Sequence, residues 1–266
     1  MSTVSLSFRE LGGAGKPPLI ILHGLLGSSR NWQTAGKDLA EWFHVFALDL
    51  RNHGTSPHAE EMSYDAMVAD VLAWMEERGI ARVTLLGHSM GGKVAMRLAC
   101  RNPERVERLI VVDIAPKDYR WAAHRAEFAA MNELDLDHLQ SRAEAEMRFE
   151  ARVDDWAMRK FLTTNLERKT EGGGWRWTVN LPVLTKALPE LERSSLGEGD
   201  RFDGPVLFVT GERSNYVQRE DWAATKRFFP RAEFRVVNGA GHNPHMETRE
   251  EFVRAVAEAT MPGFGF

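Results

Sequence analysis

Cysteine is almost absent from this chain: Cys100 stands alone among 266 residues. One thiol closes no internal disulfide, so the composition fits a reducing compartment. Cys100 falls in an apolar helical stretch and reads as a packed thiol rather than a reactive one. No apolar run approaches the ~18 residues that a membrane-spanning helix needs, and no charged-then-apolar leader opens the sequence. A soluble, cytoplasmic protein is the expectation. No block of like charge occurs either: 34 basic and 38 acidic side chains leave a formal net charge of −4. That balance argues against nucleic acid or an anionic membrane as the main partner. There is no His-Glu-x-x-His, no paired Cys/His metal spacing and no G-x-G-x-x-G after the first buried strand. Neither a metal nor a cofactor is expected.

What is present is a well-ordered alternation. At 266 residues the chain is long enough for one large α/β domain or two small ones, and its 43% of hydrophobic residues supply a sizeable core. Ser5 to Glu10 alternates like a strand. Leu19 to Leu22, Val45 to Leu48, Val83 to Leu86, Leu109 to Val112 and Val206 to Val209 are short continuous apolar runs, as expected of strands buried on both faces. Glu233 to Val237 is the last strand. Helical periods separate them: Asn31 to Phe43, Tyr64 to Arg78 behind an N-capping Ser63, the segment after Gly92, Asp221 to Phe229, and Thr248 to Thr260. Strands alternating with helices imply a mainly parallel sheet with right-handed crossovers.

The stretch Val83 to Cys100 organises the rest. An apolar run ends at Leu86, G-H-S-M-G-G turns sharply, and a helix-period segment begins with Val94, Ala95, Leu98 and Ala99 on one face. Strand, tight turn and helix around G-x-S-x-G is the setting of a nucleophile elbow. It strains Ser89 so that its hydroxyl stands clear of the sheet, and it needs Gly87 and Gly91 where strand and helix crowd together.

Pro116 opens a different region. From Lys117 to Arg201 helix periods recur (Ala122 to Leu134, Glu144 to Arg152, Asp155 to Asn165) without a clear buried strand. Gly172 to Gly174 reads as a flexible turn beside Trp175 and Trp177. The expected organisation is a core domain in two parts, 1–116 and 202–266, with a helical lid inserted over 117–201. The lid's large apolar groups, Trp156, Phe161, Leu162, Trp175 and Trp177, pack it onto the core; Trp156, Phe161 and Trp177 are candidates for lining a substrate pocket.

Sites in open α/β sheets form at the carboxyl ends of the strands. Four such ends carry capable residues: His23-Gly24-Leu25, Ser89, Asp113 and His242. Serine, then acid, then histidine is the chain order of α/β-hydrolase triads. Over nearly its whole length the sequence resembles the α/β-hydrolase superfamily, through H-G-L-L-G, D-L-R-N-H-G-T-S-P, G-H-S-M-G-G and G-A-G-H-N-P-H. With M-S-Y-D-A-M and V-D-I-A-P it looks like the small YbfF-type esterase group. The resemblance implies an α/β-hydrolase fold and a serine carboxylic-ester hydrolase working through an acyl-enzyme, with water as second substrate; the compact lid points to small or short-chain acyl esters. It implies Ser89 as nucleophile, His242 as base, and the backbone N–H groups of Leu25 and Met90 as oxyanion donors. His245 is a nearby rival for the base.

The acid is less direct. In much of the superfamily it follows the strand before the last; here that segment is G-E-R-S-N-Y, with Ser214 where an aspartate is usual. Asp113 ends the strand after the elbow helix, an alternative position for the acid in the superfamily, and is assigned the role. Glu212 is the rival, two residues nearer the strand. Ser214 either hydrogen-bonds the His242–Asp113 pair or is a plain turn residue. His23 and the Arg51-Asn52-His53 knot read as loop architecture. Activity is expected to fall in acid as the histidine protonates, near its ordinary value of about 6.5. A thioesterase, a carbon–carbon bond hydrolase and a cofactor-free haloperoxidase or perhydrolase all remain open on the same residues. A non-catalytic sensor is disfavoured by the intact set of three groups. The oligomeric state is not legible.

Overall fold

In the computed structural model, residues 2–120 and 122–260 are described. Seven strands form one sheet: β1 (Phe8–Gly12), β2 (Pro18–Leu22), β3 (His44–Leu48), β4 (Val83–His88), β5 (Val106–Val112), β8 (Val206–Gly211) and β9 (Ala232–Val237), in the order β1-β3-β2-β4-β5-β8-β9. Only β1 runs antiparallel to its neighbour. The helices flanking this sheet are α1 (Gln33–Leu39), α2 (Tyr64–Glu77), α3 (Met90–Arg101), α8 (Asp221–Phe228), the short α9 (Pro244–Glu247) and α10 (Arg249–Thr260).

The continuous apolar strands are buried on both faces, and their alternation divides the core. Leu19, Ile21, Val45, Ala47, Leu86 and Ile110 face α1 and α10. Ile20, Leu22, Phe46, Leu85, Leu109 and Phe208 face α2 and α3 on the other side. Burial of each such side chain is worth about 1.5–3 kcal/mol. Ser63 caps α2 by accepting a hydrogen bond from Ala66 N at 3.2 Å. Gly79, with φ +63°, ends it in a left-handed conformation that a residue with a Cβ adopts only at a cost. The first strand begins at Phe8, later than the Ser5 expected from alternation; Leu6 is buried ahead of it.

Between β5 and β8 the chain forms α4 (Ala122–Asn132), α5 (Arg142–Phe149), α6 (Trp156–Thr163), the antiparallel hairpin β6 (Leu166–Arg168) with β7 (Trp175–Trp177), and α7 (Leu181–Glu192). Two of these elements differ from expectation. The hairpin is only three residues per strand, too short to show a period. Helix α7 contains Pro189, which removes an intrahelical donor and reads in sequence as a break. It survives because Leu181, Leu184, Leu188 and Leu191 are buried and its carboxyl end is held from outside. Lys93 of α3, itself fully buried, donates through Nζ to the carbonyls of Leu191 (3.1 Å), Glu192 (3.1 Å) and Arg193 (2.6 Å), and Tyr64 Oη donates to Leu191 O at 2.6 Å. Burial lowers the Lys93 ammonium to about 7, and in its protonated form it also offsets the helix macrodipole. Asn165 Nδ2 donates to Leu26 O at 2.9 Å and joins the segment to the loop after β2.

Candidate active site

Four non-glycine residues have positive φ among the described residues: Leu26 (59°), Asn52 (65°), Ser89 (50°) and Asp113 (52°). Each follows the carboxyl end of a different strand, in turn β2, β3, β4 and β5. Such backbone costs about 1–3 kcal/mol per residue and clusters where the surroundings over-determine it. At the elbow the determinants are two glycines. A Cβ on Gly87 would lie 2.2 Å from Gly91 O, and one on Gly91 would lie 2.4 Å from Leu22 O. No side chain fits at either position.

Sheet register then sets the neighbours. His88 pairs with Val112 and Val112 with Val209. Ser89 and Asp113, each one residue beyond its strand, are therefore at the same level. Ser89 N donates to Val112 O at 3.0 Å, and Asp113 N to Val209 O at 2.9 Å. The loop after β9 returns over them. His242 Nδ1 donates to Asp113 Oδ2 at 2.7 Å. Ser214 Oγ donates to the same oxygen, and Gly211 N donates to Oδ1 at 3.1 Å. Ser214 is thus a ligand of the carboxylate from the strand that usually supplies the acid.

The rivals lie elsewhere. Glu212 accepts from Gly239 N at 2.8 Å, out at the surface. His245 is buried and stacked on Trp32, ring centroids 4.0 Å apart, with no side-chain partner for its Nδ1 among the described residues. Burial pushes Asp113 up to about 6 against the opposing Ser214 and Gly211 hydrogen bonds. Burial, with a smaller contribution from His124, lowers the His242 imidazole below its ordinary value.

Ser89 and His242 open onto one cavity of about 390 Å³, whose walls include Leu25, Trp32, Met158 and Phe161. Of the three aromatic residues expected there, only Phe161 lines it. Trp156 is 61% exposed, its ring covered by Lys160. Trp177 is committed to the hairpin, paired with Leu166 and packed on the core. The amides of Leu25 and Met90 donate to no protein acceptor among the described residues. Met90 N is one of the orphan donors at the start of α3.

His23 donates through Nδ1 to Gly24 O (2.8 Å) and accepts Leu50 N through Nε2 (3.0 Å), fixing two strand-end loops. Arg51 grips Asp70 through Nε (2.6 Å) and Nη2 (2.8 Å), and Asn52 O accepts from Asn180 N at 2.9 Å. His53 Nε2 accepts from Leu26 N at 3.2 Å. The Arg51-Asn52-His53 knot builds the loops and does not line the cavity, whereas His23 does. The Cys100 thiol is pushed up to about 12 by burial, which keeps it protonated.

Several site residues were missed in the sequence. His88, between Gly87 and Ser89, donates from Nε2 to His242 O at 2.9 Å; burial lowers it to about 3, so it stays neutral. Tyr216 stacks on the His242 ring at 3.7 Å and 16°. His124 and Glu127 reach the cavity from α4. Only His88 had a local signal, its place inside the elbow motif. Among the described residues no group of three or more His, Cys, Asp or Glu side chains could hold a metal ion, and no helix is long and apolar enough to cross a membrane.

A strained serine at a strand–helix elbow, beside a histidine–carboxylate pair on a mostly parallel sheet, defines an α/β hydrolase. The chain belongs to the α/β-hydrolase fold family, whose model matches residues 17–248. It is 37% identical over 259 residues to the sn-1-specific diacylglycerol lipase ABHD11 of Mus musculus, covering 94% of this chain and 83% of that protein. It is 34% identical over 242 residues to the esterase YbfF of Escherichia coli strain K12, covering 90% and 91%. Among solved structures it resembles a marine microorganism esterase, with a TM-score of 0.92 and 36% identity over 96% of this chain and 99% of that one. The chain is a hydrolase of the esterase type and falls in the YbfF-type group.

Proposed function

We propose that the chain hydrolyses carboxylic esters through an acyl-enzyme on Ser89. The observation that carries this reading is the Asp113–His242 hydrogen bond, made at the level of the strained Ser89 and opening with it onto one cavity. A serine hydroxyl needs a base to become a nucleophile. His242, held by Asp113 through Nδ1, presents Nε2 for that proton. Ser89 Oγ attacks the acyl carbon, the proton passes to His242, and the carbonyl oxygen becomes an oxyanion. The unsatisfied amides of Leu25 and Met90 receive it. His242 then protonates the departing alcohol, leaving acyl-Ser89. Water repeats the sequence: His242 takes its proton, hydroxyl adds to the acyl carbon, and Ser89 leaves with the proton returned. Ser214 and Gly211 keep Asp113 ionised and in place.

The segment 117–201 acts as a lid, supplying the Met158 and Phe161 wall. A cavity of about 390 Å³ lies near the small end of the ~300–1,000 Å³ range of ligand pockets, which favours short acyl chains. The test is hydrolysis of p-nitrophenyl esters from acetate to palmitate by wild type and Ser89→Ala. Short-chain turnover that falls at least ~10⁴-fold in the variant is expected. Comparable turnover by Ser89→Ala would overturn the reading. Thioesters and vinylogous diketones, run beside the esters, discriminate the other chemistries open to the same residues.

A further inference from the structure

Acyl transfer as described needs no further carboxylate in the cavity, yet three line it: Asp155 and Glu247 are exposed, and only Glu127 is buried. Glu127 of α4 is 4% exposed and lines the cavity with Ser89 and His242. Its Oε2 accepts from His124 Nδ1 at 2.6 Å. No protein donor reaches its Oε1 among the described residues. Much of the surrounding wall is apolar: Leu25, Trp32, Ala157, Met158 and Phe161. Substrate that fills the cavity displaces water from that oxygen, and unless it supplies a donor of its own the acceptor is left unpaired against an apolar wall. This is how a pocket selects for a hydroxyl.

The position says which half of the substrate it meets. Tyr216 links the pair to the base, its ring stacked on His242 at 3.7 Å and its Oη 3.4 Å from His124 Nε2. His242 is the group that protonates the leaving oxygen, whereas the amides of Leu25 and Met90 hold the acyl oxygen. The His124–Glu127 pair therefore belongs to the alcohol side. We infer that Glu127 Oε1 accepts a hydrogen bond from a free hydroxyl on the alcohol half of the ester, so that the enzyme selects partial esters of polyols and rejects alcohol halves that carry a carboxylate. This rests on the Ser89 reading above.

The test compares kcat/KM for 2-hydroxyethyl butyrate and n-propyl butyrate, near-isosteric in the alcohol half, each normalised to its rate of alkaline hydrolysis. Butyryloxyacetate, which places a carboxylate there, is the third substrate, and p-nitrophenyl butyrate reports whether the Ser89 chemistry runs. Wild type is expected to prefer the hydroxyethyl ester by about tenfold or more. In Glu127→Leu the preference falls to about one. In Glu127→Gln, which keeps an acceptor oxygen without the charge, it falls only in part, while butyryloxyacetate gains about tenfold relative to propyl butyrate. A structural role alone would not produce that gain. A wild-type preference near one overturns the inference, whatever the variants do, and so does a full preference retained in Glu127→Leu. Absence of p-nitrophenyl butyrate turnover in wild type would instead sink the Ser89 reading.

Discussion

The two walls of the cavity are built on different terms. On the sheet side, position is a property of backbone: Ser89 and Asp113 sit in left-handed conformations, and each is tied by its amide to the end of the next strand. On the helical side, position depends on side chains. Lys93 and Tyr64 hold the end of α7, and Asn165 holds the loop after β2. The first arrangement suits chemistry, where small displacements are costly. The second suits substrate choice, because helix side chains change without disturbing the sheet. On the proposed function, reaction rate rests on the strand ends, and selectivity and stability on the segment 117–201.

The sharpest way to break that assignment is at the acid. Asp113→Asn should lower kcat about 10⁴-fold, because the imidazole loses the partner that holds its tautomer. Glu212→Gln should change it less than about threefold. The opposite result would move the acid to β8. Next is pH. A base with a lowered pKa keeps its neutral form further into acid, and Asp113, pushed up to about 6, stays ionised above that point. The lowered histidine moves the acid limb of kcat/KM into acid and the raised Asp113 sets it near 6, so its midpoint lies below 6.5, with a fall of at least about tenfold per unit beneath it. A midpoint at or above 7 would contradict the burial argument.

Two smaller effects examine the helical side. Lys93→Met leaves the carbonyls at the end of α7 without their buried donor and should cost about 2 kcal/mol in urea unfolding. The accompanying loss should fall more on KM than on kcat. A fall confined to kcat would mean that α7 shapes the chemistry itself. Trp156→Ala, at an exposed ring, should shift stability by less than about 0.5 kcal/mol and activity by less than about twofold. A larger loss of long-chain turnover would restore Trp156 to the pocket.

Much of the fold was legible because its signals are local. Two-sided burial makes a parallel strand read as an unbroken apolar run, and Leu19 to Leu22 or Val206 to Val209 could hardly be anything else. Legibility faded in the segment 117–201. The β6–β7 hairpin is shorter than a period, and α7 carries a proline that only its tertiary anchors allow. Trp156 and Trp177 are large and apolar, which says that they want cover but not which cover. Phe161 shares that composition and does line the cavity.

The residues alone determined the elbow. Its strain is imposed within five positions, by two glycines that admit no Cβ and a serine held between them. They likewise determined the order of strands, helices and chemically capable turns. Tertiary structure decided which of those turns meet. Asp113, and not Glu212, meets His242, across 129 residues, and Ser214 donates to the same carboxylate across 101. Glu127 and Tyr216 enter the site in the same way. Which side chains share one small volume depends on the register of β4, β5, β8 and β9, and hydrophobic periodicity, which specifies faces, carries no record of distant neighbours.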